Sequence, residues 1–166
     1  MPISAEEVGV RLARNGRPVV EDFGTAERLY FRVERAEIEP GGQLRLARVR
    51  VNQSVNRGAF SRAGWVLHPD HWDDAGVGVA ECAVASVSRE IPSQSQHKWA
   101  CRPVHDPLDA NYAHSEIRVS RDGAFPPPSD LPNSVKIQIR TVIRDFASIA
   151  IKPGGGRAWL ADDPGE

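Results

Sequence analysis

The densest group of side chains able to do chemistry is the run from His105 to Ile117, which reads His-Asp-Pro-Leu-Asp-Ala-Asn-Tyr-Ala-His-Ser-Glu-Ile. A strand opening at His114 puts His114, Glu116 and Arg118 on one face and Ser115, Ile117 and Val119 on the other, because side chains alternate along an extended chain. The loop before it is expected to fold His105, Asp106 and Asn111 back toward that polar face. Two imidazoles, carboxylates and an amide in one patch are suitable materials for acid–base catalysis or for a hard cation. The same residues also make ordinary turns, in which Asp and Asn side chains hold backbone amides, and a hydrated strand face. No paired-histidine spacing of the metalloenzyme kind is present, so no metal site is predicted.

A second group is the segment Gln43 to Arg62, which carries Arg45, Arg48, Arg50, Arg57 and Arg62, with Asn52, Gln53, Ser54, Asn56 and Ser61 among them and no acid. Guanidinium groups beside hydroxyl and amide donors suit a phosphate-bearing ligand. The expected alternative is structural: arginines on an exposed strand face pair with Glu34, Glu37 or Glu39 of the neighbouring strand. Aromatic residues are not interleaved as a single-stranded nucleic acid would require. Glu81, among Val77, Val79, Ala83 and Ala85, is partnered by an Arg or has a raised pKa if its strand is central, or else lies at an edge in water. Cys82 on the opposite face reads as a small core residue, with no base nearby to make it a nucleophile.

These groups need elements to hold them. Ser4 and Glu7 have capping-box spacing, Ile3 and Val8 form a staple, and Asn15-Gly16 supplies a stop, so the spacing predicts a short N-terminal helix. Leu29, Phe31 and Val33 alternate with Arg28, Tyr30 and Arg32 as on a half-buried strand. Glu39-Pro40-Gly41-Gly42 fits a type II turn, with Leu44 to Val51 as the partner strand and a bulge between Leu46 and Ala47. Ser61 to Asp74 reads as loop anchored by Trp65 and Trp72. Gly76 to Val84 is apolar on both faces and reads as a central strand, while Ala85 to Ile91 fits a strand or a short helix. Lys98 to Val104 and His114 to Ser120 are further strands, and three prolines keep Gly123 to Pro132 extended. Helical spacing from Ser134 to Ile149 aligns Val135, Ile139, Val142, Phe146 and Ile149, with Asn133 or Ser134 as the cap. The pattern predicts an α+β fold, a mostly antiparallel sheet flanked by an N-terminal and a C-terminal helix. Residues 1–152 form the expected single domain and 153–166 a flexible acidic tail, in which Trp159-Leu160 is the one segment suited to docking a partner chain.

Composition narrows the class. The chain has 166 residues, 40% hydrophobic and 26% charged, with 21 basic and 22 acidic side chains and a net charge of −1. That balance excludes intrinsic disorder and gives no general attraction to nucleic acid or to an anionic membrane. Three of the basic residues are Lys (Lys98, Lys136 and Lys152) and the rest are Arg, an enrichment that a GC-rich genome explains. No stretch approaches the roughly 18 apolar residues of a membrane helix. The acidic start of the chain lacks the pattern of a secretory signal, and two cysteines cannot build a disulfide framework. A soluble cytoplasmic protein is expected.

The order of segments Leu29-Tyr30-Phe31-Arg32-Val33, Ser54-Val55-Asn56-Arg57-Gly58-Ala59-Phe60-Ser61, Gly78-Val79-Ala80-Glu81, Asp106-Pro107-Leu108 and Asn111 to Ile117 resembles a family of small uncharacterised bacterial proteins over about residues 28–120. That resemblance implies a bacterial source and no particular activity. Arg32, Phe60-Ser61 and Glu116 also fall in the order found in the ADP-ribosyltransferase fold of bacterial toxins. This second resemblance implies an enzyme using NAD, in which Arg32 holds the pyrophosphate, Ser61 positions the nicotinamide ribose and Glu116 stabilises an oxocarbenium-like state. The chain differs from that family in having no second Ser two residues from Ser61 and in carrying His114 two residues before Glu116.

With no complete catalytic motif in the residues themselves, the expected function is that of a binding or accessory protein. Its ligand or partner face would contain Arg57, His105, Asp106, Asn111 and His114. The alternative is an NAD-using enzyme with Arg32, Ser61 and Glu116 converging in one cleft.

Overall fold

In a computed structural model, residues 17–67 and 69–162 are described; the N-terminal helix expected from Ser4 to Gly16 lies outside them. Seven strands form one antiparallel sheet: β1 (Arg28–Glu34), β2 (Gln53–Arg57), β3 (Val77–Ala83), β4 (Arg89–Ile91), β5 (Trp99–His105), β6 (His114–Arg121) and β7 (Ser148–Ile151). Their spatial order is β4-β5-β6-β2-β1-β3-β7. Among the described residues three α-helices accompany them: α1 (Val84–Val87), α2 (Asn133–Phe146) and α3 (Gly156–Asp162). The expected α+β class and antiparallel sheet are therefore present.

The connection from β3 to β4 dictates the curvature of the sheet. Five interstrand spacings, about 24 Å in a flat sheet, lie between these two strands. The chain from Ala83 to Arg89 contains the single helical turn α1 and reaches roughly 15 Å at most. The sheet must therefore curl until its ends approach. Inside the curl, Leu29, Phe31, Val55, Cys82, Cys101, Ile117 and Val119 meet Val135, Ile139 and Ile143 of α2 in one buried cluster. Leu44 and Val49 join it from the connection between β1 and β2.

The outer face is covered only in part. Over β1, β3 and β7, Ala63 and Leu67 from the β2–β3 connection close on Val79 and Ile151, with Trp72 and Trp159 packed against them. Trp159 belongs to α3, within the segment the sequence suggests is a flexible acidic tail. The helix is held by Arg157, whose guanidinium grips the Asp73 carboxylate at 2.7 to 2.9 Å. Gly64 leaves room for the indole, because a Cβ there would stand 2.1 Å from the Trp159 ring.

Other segments depart from the expected pattern for local reasons. Leu44 to Val51 is not the partner strand. Leu44 makes one isolated bridge to Ile38, and Leu46–Arg48 is a 3-10 turn. Leu44 and Val49 are five residues apart and both buried, which alternation along a strand cannot achieve but an intervening turn can. β1 pairs instead with Gln53–Arg57. In the preceding turn the left-handed residue is Gly42, at φ +88°, rather than Gly41. Val84 to Ile91 resolves into both expected alternatives, one helical turn followed by a strand. Helix α2 follows Pro132, without a side-chain cap, and ends at Phe146. Ile149, in phase with the helix, pairs with Ala80 in β7. Trp65 is not an anchor, since 61% of its surface is exposed.

Candidate functional site

The uncovered part of the outer face becomes a cleft. Register places Tyr30 beside Asn56 and Asn56 beside His114, so alternate residues of β1, β2 and β6 form one polar surface. The connection that carries the Leu46–Arg48 turn stands over its edge and encloses a volume of about 280 Å³. Arg32 lines the cleft from β1, Ser54 and Asn56 from β2, His114 from β6, and Arg45, Arg48 and Arg50 from the connection. Asn111, from the loop before β6, completes this polar wall.

Charge in the cleft is unbalanced. Arg45 donates through Nε to the Ala36 carbonyl at 2.9 Å. Glu34 and Glu37 also line the cleft, but they cap the turn Arg35–Glu37, each side chain accepting from the other's backbone amide. Among the described residues, Arg32, Arg48 and Arg50 have no carboxylate partner. The cross-strand neutralisation expected from the sequence is absent because Leu44 to Val51 does not lie as a strand beside Glu34 and Glu37.

His114 is oriented within this surface. Its Nδ1 lies 2.7 Å from the Asp106 carbonyl, which can only accept, so Nδ1 carries the hydrogen and Nε2 presents a lone pair. Nε2 faces Ser54 Oγ at 3.3 Å. Asn111 Nδ2 donates to Asn56 Oδ1 at 2.8 Å, leaving the Asn56 NH2 as a donor beside Ser54. The nearby acids are drawn elsewhere: Arg118 holds the Glu116 carboxylate through Nε at 2.7 Å and Asp106 through a terminal nitrogen at 3.0 Å.

Two predicted ligand-binding residues lie on the other face, closed within the fold. Arg57 is 2% exposed. It grips Glu27 through Nε at 2.8 Å and a terminal nitrogen at 2.9 Å, and it donates to the carbonyls of Val20 and Asp22. The Phe23 ring lies against it, its centre 3.9 Å from the guanidinium carbon. His105, 1% exposed, accepts from the Val20 amide at Nδ1 and donates from Nε2 to the Tyr112 carbonyl. Burial pushes its pKa below the ordinary imidazole value, and the neutral ring suits both bonds. Every nitrogen of these two side chains is thereby engaged by protein, so in this structure they position the loops.

Thus the structure brings His114 and Asn111 into the cleft, places Asp106 behind it as the backbone support of His114, and removes Arg57 and His105 from it. Nor does it gather the enzyme trio. Arg32 lines the cleft, Glu116 shares its face but is held by Arg118, and Ser61 lines an adjoining, more open hollow with Phe60, Trp65 and Tyr112 that meets the cleft at Asn56 and Asn111. Ser54 and Asn56, read with the arginines of Gln43 to Arg62 as donors suited to a phosphate, line the cleft; what spacing alone misses is their place beside His114 and Asn111. Their signal is alternation within Gln53–Arg57, legible once that segment is taken as the strand. Among the described residues no helix is long and apolar enough to cross a membrane. Comparison of the chain with family models, curated proteins and solved structures gives no match.

Proposed function

We propose that this protein binds a compact anionic small molecule, one bearing a phosphate or carboxylate, in the cleft between the outer sheet face and the Leu44–Gln53 connection. The observation that carries the reading is the gathering of Arg32, Arg48 and Arg50 around one concavity with no carboxylate partner among the described residues. Guanidinium groups match the planar, bidentate geometry of such anions, and Ser54, Asn56 and Asn111 add neutral donors. A volume of about 280 Å³ lies at the small end of ligand pockets. The buried free thiols of Cys82 and Cys101 are compatible with a reducing, cytoplasmic setting.

Calorimetric titration with inorganic phosphate and pyrophosphate tests this. Saturable binding is expected, weakening with added salt, and roughly tenfold weaker in Arg32→Gln or Arg48→Gln through loss of a charge-assisted hydrogen bond. Absence of saturable binding by either anion to the folded protein overturns the reading. An NAD arm addresses the narrower enzyme alternative, for which Arg32 still lines the cleft as a pyrophosphate ligand. Binding and cleavage of NAD by the parent protein, lost in Glu116→Ala, would favour that alternative; pyrophosphate binding without NAD binding would exclude it.

A further inference from the structure

We infer that the same cleft is a catalytic centre for acyl transfer, with Ser54 as nucleophile and His114 as its base, acting on a small ester whose acyl part carries a free carboxylate. This rests on the anion-binding reading and adds a reaction to it. Three features of the cleft support the assignment. First, the Nδ1 bond to the Asp106 carbonyl at 2.7 Å fixes the imidazole so that the Nε2 lone pair faces Ser54 Oγ at 3.3 Å. A base oriented by a third group and facing a hydroxyl is the arrangement that makes serine reactive. The diagonal placement of Ser54 and His114, which lies two residues from Ser54's cross-strand partner Glu116 and so on the same face, brings them within reach.

Second, a donor stands next to the nucleophile. Asn56 is two residues from Ser54 on the same strand face and directly opposite His114. Its carbonyl oxygen is taken by Asn111, so its amide hydrogens point elsewhere with no acceptor among the described residues. A fixed side-chain amide of this kind stabilises the oxyanion of a tetrahedral intermediate. Third, Arg32, Arg48 and Arg50 supply the attraction that would hold a charged acyl group with its ester carbonyl near Ser54.

The reaction balances with water alone. Ser54 Oγ attacks the ester carbonyl carbon as its proton passes to His114 Nε2. The tetrahedral intermediate collapses by breaking the carbon–alkoxy bond, and the alcohol leaves with the proton from His114. Water then gives its proton to His114 and its oxygen to the acyl carbon, and Ser54 regains its hydrogen as the free acid departs. No oxidant or reductant is needed.

The test uses 4-nitrophenyl hydrogen succinate, with neutral 4-nitrophenyl acetate for comparison. The full chain is expected to release 4-nitrophenolate from the succinate ester above the rate in buffer and to carry a transient succinyl group on Ser54, seen by peptide mass. Ser54→Ala should lower kcat/KM by roughly 100-fold or more, and His114→Gln by a similar factor. Arg32→Gln should raise KM for the succinate ester and leave KM for the acetate ester unchanged. Turnover equal to buffer, or turnover that survives Ser54→Ala, overturns the inference. Equal preference for the two esters overturns the arginine role. Pyrophosphate binding by the parent protein tells the two readings apart: binding without ester hydrolysis defeats the catalytic inference only, and loss of both defeats the site; Ser54→Ala, which keeps the guanidinium groups, should bind pyrophosphate without hydrolysing the ester.

Discussion

Arg57 and Arg32, and likewise His105 and His114, are the same side-chain types on opposite faces of neighbouring strands, with opposite fates. On the inner side, Arg57 meets Glu27, two carbonyls and the Phe23 ring, and His105 is bonded at both nitrogens. On the outer side Arg32 lines a cleft and pairs with no carboxylate among the described residues, and His114 ends its chain of bonds on an exposed serine hydroxyl. Residue type therefore does not mark the site. What marks it is whether the valences of the side chain are spent on the protein itself.

The largest test of that contrast removes the inner guanidinium. Arg57→Ala leaves the Glu27 carboxylate, 8% exposed, without its counter-charge, and breaking a buried pair costs about 3–5 kcal/mol. Urea unfolding should show a loss of that order, while Arg32→Gln should change stability by no more than about 0.5 kcal/mol. Equal losses from the two would erase the distinction.

A second perturbation separates the covered and open parts of the outer face. Gly64→Ala puts a methyl into the Trp159 ring and should cost about 1–3 kcal/mol by overpacking. Tryptophan emission should shift toward that of exposed indole as α3 is displaced, and anion affinity in the cleft should hold.

The histidines divide by pH. Burial lowers the pKa of His105 in the folded protein, so acid protonates the unfolded chain first. The stability this residue contributes is complete above the ordinary imidazole value of 6.5 and declines as pH falls below it. Melting temperatures measured from pH 8 to pH 5 should show a shallower acid-side decline in His105→Gln than in the parent; an unchanged slope would mean the buried ring does not resist protonation.

The smallest stability effect belongs to Arg118→Ala. Its pairs with Asp106 and Glu116 are partly exposed and contribute about 0–1 kcal/mol. Freed carboxylates beside His114 would nevertheless oppose an anion, so calorimetry should register weaker phosphate binding with little change in unfolding.

Much of the architecture was readable from the chain. Period-two alternation located β1 and β6, an apolar run located β3, and the Val135–Ile139 spacing located α2, because burial of one face or of both leaves its own pattern. The readings that failed needed knowledge of distant partners. Ile149 continues the helical spacing yet lies in a strand, since Ala80 is waiting for it across the sheet. Leu44 and Val49 show no strand period because a core formed by residues remote in sequence takes them both. The site suffered similarly: His114 and Asn111 were legible as members, whereas Arg57 and His105 have the same chemistry and differ only in what folds over them. Ser54 gains significance only from the register that sets His114 beside it.

The rooting of Leu44 and Val49 in the main core has a consequence for how the cleft selects its guest. Lifting that rim would expose two aliphatic side chains to water, at roughly 1.5–3 kcal/mol each, so it cannot swing as a hinged cover does. The backbone that bears Arg45, Arg48 and Arg50 is held in place before any guest arrives. Such an anion receptor would discriminate by size and reach, admitting what fits between fixed posts instead of moulding itself around whatever is offered.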